Sequence, residues 1–222
     1  MLIEKDSLYI YVPENYSGSL DAAVYYPGSG GAKKLGSADG LPYEEYIASN
    51  PDKVVVISKR GVENTDDIYN TLDEVKSANN ISFRDVNFYS HSAGQSAMVN
   101  TASKAADYCY NAKFMTVLDS AYQLNTIHIS DEEAAALAKN GTTAVLFYQT
   151  DYGRKNNLKT LISHGVPIVY VQCDADSSDW GERHKIINAT PVKNGLIDFM
   201  SGDISSLGTT SEIGRASCRE RV

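Results

Sequence analysis

Ser92 is the residue whose type and placement point most directly to chemistry. It is the centre of Ser90-His91-Ser92-Ala93-Gly94. The β-rich run Asp85-Val86-Asn87-Phe88-Tyr89 leads into that stretch, and a helical-looking run from Gln95 to Tyr110 leaves it. The spacing predicts a sharp strand-to-helix corner with small residues, Ser90 and Gly94, two positions on either side of the serine. Such a corner lifts the serine oxygen out of the sheet and aims the N–H groups of the following helix at the reacting centre. A serine hydroxyl is a weak nucleophile. It needs a general base within hydrogen-bond reach, an acid to orient that base, and donors for the oxyanion.

The stretch resembles the nucleophile elbow of the α/β-hydrolase superfamily, G-x-S-x-G, with Ser90 in place of the first glycine. The resemblance extends over roughly Leu8 to Met200 and implies a triad in the chain order serine, acid, histidine. Ser92 is then the nucleophile. Asp151, in Tyr148-Gln149-Thr150-Asp151-Tyr152-Gly153, is the acid, and His184, in Trp180-Gly181-Glu182-Arg183-His184, is the base. Asp119 is the alternative acid, because some hydrolases carry theirs one strand earlier. The oxyanion hole takes one N–H from Ala93 and a second from Tyr26-Pro27-Gly28-Ser29-Gly30-Gly31, a loop similar to the family's H-G-G-G type with Pro27 where histidine is usual. Ser29 is the first choice for that second donor and Gly30 the next. The implied reaction is hydrolysis of a carboxylic ester through an acyl-enzyme. A peptidase, thioesterase or acyltransferase with the same triad is an alternative, as is a catalytically silent binding module of the same fold. The substrate is then a small-molecule ester or acyl compound, with no cofactor and no metal.

The elements that must position these residues alternate. Strand-like runs cover Ser7–Val12, Ala22–Tyr26, Val54–Ser58, Val86–Ser90, Phe114–Leu118, Thr143–Tyr148 and Val166–Gln172. Helix-like runs cover Leu41–Ser49, Asp66–Ala78, Gly94–Tyr110, Asp131–Asn140, Lys155–His164 and Val192–Met200. Val54–Ser58 is apolar on both faces, the mark of a buried parallel strand. Ser130 and Glu133 are placed as a capping box, with Gly141 as the stop. The pattern predicts an α/β fold: a mostly parallel sheet of about seven strands flanked by helices, with an antiparallel start. The longest insertion, Asp119 to Gly141, is too short for a large lid.

Other residues read as structural. His91 lies inside the elbow with its side chain expected to point away from the serine oxygen. His128 sits in an irregular insertion, and His164 precedes Gly165 at a helix end, where a cation suits the dipole. Asp174, Asp176, Ser178 and Asp179 suggest a calcium loop, but its sixth and twelfth positions are Asp179 and Lys185 instead of glycine and glutamate. Gly28-x-Gly30 follows a strand, yet Lys33 stands where a dinucleotide fingerprint needs glycine.

Composition bounds the rest. At 222 residues, 42% hydrophobic and 22% charged, the chain suits one domain with a sizeable core. A net charge of -8 argues against a nucleic-acid partner. No stretch approaches the ~20 apolar residues of a membrane span, and the N-terminus shows no signal core. Three cysteines without C-x-x-C spacing suggest the cytoplasm. Fifteen tyrosines read as strand and surface packing. The terminal stretch Glu212 to Val222, EIGRASCRERV, resembles a translated sequencing-library adapter and is expected to be a non-native tail after a single domain, 1–211.

Overall fold

Strand residues of this chain alternate between two buried faces. The computed structural model describes residues 1–28, 31–33, 36–37, 52–60, 64–118, 129–148, 157–172 and 213–215. Its strands are β1 (Leu2–Glu4), β2 (Leu8–Tyr11), β3 (Gly18–Tyr26), β4 (Ala32–Lys33), β5 (Gly36–Ser37), β6 (Lys53–Ser58), β7 (Ile81–His91), β8 (Ala112–Leu118), β9 (Thr143–Tyr148), β10 (Ile168–Gln172) and β11 (Ile213–Arg215). Nine of them form one sheet in the order β1-β2-β6-β3-β7-β8-β9-β10-β11, and β4 and β5 form a separate hairpin. From β6 to β10 every pair in that order is parallel. The antiparallel strands lie at the two edges.

Leu20, Ala22, Val24 and Tyr26 of β3, Val54 and Val56 of β6, and Val86 and Phe88 of β7 recur every second residue within one core. A period of two sends them all to one face. The helices α1 (Thr65–Asn79), α2 (Gln95–Ser103), α3 (Asp131–Lys139) and α4 (Asn157–Ser163) cover that face. They contribute Ile68, Leu72, Met98, Ala102, Leu137 and Leu161 to the same core. The intervening residues Ala23, Tyr25, Val55, Ile57 and Tyr89 are buried too. A sheet enclosed on both sides is what parallel pairing requires, and the doubly apolar run at β6 follows from it.

Several boundaries differ from the sequence reading. The strands Ser7–Val12 and Ala22–Tyr26 are not neighbours, because β6 lies between β2 and β3, although β2 does run antiparallel to it. β3 and β7 begin earlier than their apolar runs, at Gly18 and Ile81, where Gly18, Ser19 and Leu20 pair with Ile81, Ser82 and Phe83. The run Gly94–Tyr110 is not one helix. α2 stops at Ser103, a 3-10 turn covers Ala105–Tyr108, and Cys109 is left-handed at φ 62°. Ser103 Oγ donates to the Asn100 carbonyl at 2.9 Å, a side-chain bond that competes with helix continuation. Beyond the break, Tyr108 and Tyr110 stack on Tyr69 with centroids 4.3 and 5.5 Å away, which holds the chain against α1. β1 and β11 had no sequence signal strong enough to mark them. Ile213–Arg215 lies within the stretch read as a tail, and it pairs with Val169–Val171 of β10.

The local stop signals behave as the sequence implies. The Glu133 N–H donates to Ser130 Oγ at 3.1 Å and the Ser130 N–H donates to Glu133 Oε2 at 2.9 Å, a reciprocal cap on α3. Gly165 follows α4 at φ 77°. His164 at that end has Nδ1 2.9 Å from the Thr160 carbonyl and Nε2 3.6 Å from Asp131 Oδ1, a structural role.

A buried hydroxyl network ties α2 to β3 and α1. Thr101 Oγ1 donates to the Ala97 carbonyl at 2.9 Å. It has one proton, so the Tyr26 hydroxyl at 2.6 Å and the Thr65 hydroxyl at 2.9 Å must donate to it. Tyr69 donates to the Thr101 carbonyl at 2.7 Å. Burial, above all, raises the Tyr69 pKa and keeps that phenol protonated. Thr101→Val keeps the shape and takes away the hydroxyl that accepts from Tyr26 and Thr65, at a cost of about 2–4 kcal/mol. A Tm lowered by roughly 5–15 °C in a thermal melt is the expected result. An unchanged Tm would show that the network contributes nothing.

Candidate active site

The corner at Ser92 is built by backbone geometry. β7 stays extended through His91, at φ -124° and ψ 139°. Ser92 then turns to φ 49°, in the left-handed region that non-glycine residues avoid. A 3-10 turn, Ser92–Gly94, follows, and the Gln95 N–H donates to the Ser92 carbonyl as α2 begins. Of the described non-glycine residues with positive φ, two are asparagines, which tolerate it, and the others are Ser92 and Cys109. Holding a serine there costs about 1–3 kcal/mol, and such strain clusters at functional positions.

Gly94 explains how the turn closes. A Cβ on it would lie 2.5 Å from both the Tyr26 and the Pro27 carbonyl oxygens. Only glycine lets the first turn of the helix approach the end of β3 so closely. Ser90, the other small position, pairs with Tyr26 and Val117 in the middle of the sheet and is completely buried.

Gly28, two residues beyond β3, lies beside Ser92. A Cβ on Gly28 would sit 3.1 Å from Ser92 Cβ and 3.4 Å from His91 Nδ1. The Gly31 N–H donates to the Gly28 carbonyl at 2.9 Å. Gly31 is at φ 70°, and a Cβ there would lie 2.7 Å from the Lys59 carbonyl. That contact sets Gly31 against the end of β6. The structure thus brings the Gly28 backbone to Ser92, a neighbour the sequence pattern placed only within the loop. Its signal was the glycine directly after Tyr26-Pro27. Ser92 is partly exposed and Ala93 is exposed, while His91 beneath them is 3% exposed.

Ser92 and Ala93 are therefore placed together at the corner. Ser29, Gly30, Asp119, Asp151 and His184 lie outside the described residues, as do His128 and the Asp174–Asp179 segment. The strands that precede them are described. β7, β8, β9 and β10 are adjacent and parallel, so their C-terminal ends share one side of the sheet. Leu118 directly precedes Asp119, and Tyr148 and Gln172, the last residues before the Asp151 and His184 segments, are paired across β9 and β10. Sites of open parallel sheets collect at these ends. Among the described residues no group of three or more His, Cys, Asp and Glu side chains could hold a metal. No described helix is long and apolar enough to cross a membrane.

No protein-family model matches the chain, and no curated protein matches it in sequence. Solved structures do match its shape. One is an esterase of Rhizomucor miehei, with a TM-score of 0.56 and 14% identity over 93% of this chain and 82% of that one. Another is the NocB thioesterase domain, in covalent complex with a fluorophosphonate nocardicin G analogue, with a TM-score of 0.51 and 12% identity over 91% of this chain and 100% of that one. A third is the Pyrococcus horikoshii acylaminoacyl peptidase, with a TM-score of 0.54 and 12% identity over 87% of this chain and 38% of that one. At such identities the likeness establishes architecture: a mostly parallel sheet with flanking helices in the α/β-hydrolase fold.

Proposed function

We propose that this chain is a serine hydrolase that cleaves a carboxylic ester through an acyl-enzyme intermediate. The observation that carries the reading is Ser92 held at φ 49° on the corner between β7 and α2, with the Gly28 backbone alongside it. A strained serine between a strand end and a helix start is the arrangement nucleophilic acyl chemistry needs. Likeness in fold to proteins described as an esterase, a thioesterase and a peptidase supports an acyl-transfer site and leaves the leaving group open.

In this reading the Ser92 hydroxyl attacks the ester carbonyl while His184 removes its proton. Asp151 holds His184 in the tautomer that presents its free nitrogen to Ser92. The oxyanion accepts hydrogen bonds from the N–H groups of Ala93 and Ser29. As the tetrahedral intermediate collapses, the C–O bond to the alcohol breaks and His184 returns the proton to the leaving alkoxide. Water, deprotonated by the same imidazole, then attacks the acyl-enzyme, releasing the carboxylic acid and restoring Ser92. Metals and organic cofactors have no part in it. The substrate class is a small ester or acyl compound.

The test is a matched panel: a short-chain p-nitrophenyl ester, an acyl thioester of the same chain length, and an aminoacyl p-nitroanilide. Ester turnover with an initial burst, at a kcat/KM at least ten times that of the other two, is expected. Faster cleavage of the thioester or the anilide would reassign the leaving group, and no turnover of any would favour a silent module.

A further inference from the structure

Two buried polar side chains bracket the Ser92 turn. Ser90 stands two residues before Ser92 and Gln95 three after, and both are 0% exposed. Among the described residues no hydrogen-bonding group meets Ser90 Oγ, Gln95 Oε1 or Gln95 Nε2. They share one layer. Ser90 alternates with Val86 and Phe88 and lies between Tyr26 and Val117, all of which belong to the core beneath the helices. Gln95 precedes Met98, Val99 and Ala102 by three, four and seven positions, and those residues belong to the same core. A spacing of 3.6 residues puts Gln95 on that face of α2. Asn87 and Thr116, two other buried strand residues, alternate onto the opposite face of the sheet.

A carboxamide has two donor hydrogens and an acceptor oxygen, and a hydroxyl can both donate and accept. Buried without partners, each such group carries the uncompensated cost of its lost hydration. An apolar residue would fill either position at no such cost. A small neutral molecule with two donors and two acceptors suits both kinds of side chain, and buried polar atoms left without protein partners are where interior waters sit. We propose that Ser90 and Gln95 together form a binding site for an internal water molecule, seated under the corner that carries Ser92. The water accepts from one side chain and donates to the other. The strand-side and helix-side ends of the turn are then joined on their buried side by a hydrogen-bonded bridge.

The test uses Ser90→Ala, Gln95→Met and the double variant in the full chain. Alanine removes one oxygen, and methionine keeps the length of glutamine. Each single variant should lower the Tm by roughly 3–6 °C. The double variant should fall little further than the worse single, because both changes remove the same bridge. Relaxation dispersion of water oxygen-17 should count one long-lived internal water fewer in each. A Tm that is unchanged or raised in Gln95→Met overturns the proposal, since removing an unhydrated amide would relieve a penalty. An undiminished count of long-lived waters in Ser90→Ala also overturns it, and decides the question if Gln95→Met does not fold. Neither readout uses enzymatic activity, so the result is independent of the esterase reading.

Discussion

Ser92→Ala should abolish labelling by a fluorophosphonate and lower kcat by about 10⁶-fold, while the protein stays folded. In the proposed mechanism Ser92 is the only group that forms the acyl bond, so no neighbour can replace it. The backbone supplies a control. Ser92 sits at φ 49°, and alanine inherits that strain whereas glycine does not. Ser92→Gly should be as inactive as Ser92→Ala but melt about 1–4 °C higher, with the greater chain entropy of glycine offsetting part of the relief. Labelling that survives in either variant would place the reactive serine elsewhere. Equal melting temperatures would remove the strain argument and leave the chemical one.

The second large effect separates the two acids. Asp151→Asn keeps shape and removes charge, and in a Ser-His-Asp triad that change lowers kcat by about 10⁴-fold. Asp119→Asn should cost less than about tenfold. Strand order supports the ranking. Asp119 follows β8, directly beside the nucleophile strand, whereas the Asp151 segment leaves β9, whose end is paired with the end of β10, from which the His184 segment leaves. An acid from the strand next to that of the base has the shorter path to the far ring nitrogen. Measured kcat values in the reverse order would move the acid to Asp119 and leave Ser92 and His184 in their roles.

Sequence pattern was most informative where one residue type satisfies one physical demand. The capping box at Ser130 and Glu133, the left-handed glycine after α4 and the doubly apolar run at β6 were all legible for that reason. The corner at Ser92 was legible because the positions two before and two after the serine, Ser90 and Gly94, must stay small where the chain turns sharply. Strand neighbours were not. Nothing in Val54–Ser58 says that it inserts between β2 and β3, because order in a sheet depends on how crossovers pack and not on any one strand. The extra residues at the start of β3 and β7 were hidden because Gly18, Ser19 and Ser82 carry no strand propensity, and pairing with each other decides their state. The helix end at Ser103 was hidden because Tyr108 and Tyr110 override a favourable local run by docking on Tyr69, a contact distant in sequence. The close approach of Gly28 to Ser92 belongs to the same class.

The interior place of β3 has a consequence for how this chain comes into being. Its two partners, β6 and β7, are both synthesised after it, and the last residue of β7 follows the last residue of β3 by 65 positions. At ~5–20 residues per second, β3 waits roughly 3–13 s for both neighbours to leave the ribosome. Through that interval Ala22-Ala23-Val24-Tyr25-Tyr26, apolar and rich in strand-forming residues, has two unpaired edges. Pairings this distant along the chain form slowly even once synthesis is complete. Among the described strands, the segment that later brings Gly28 to Ser92 is therefore the one most open to misassociation at birth, and the yield of folded protein should depend on how long it stays unpaired more than on the final stability of the sheet.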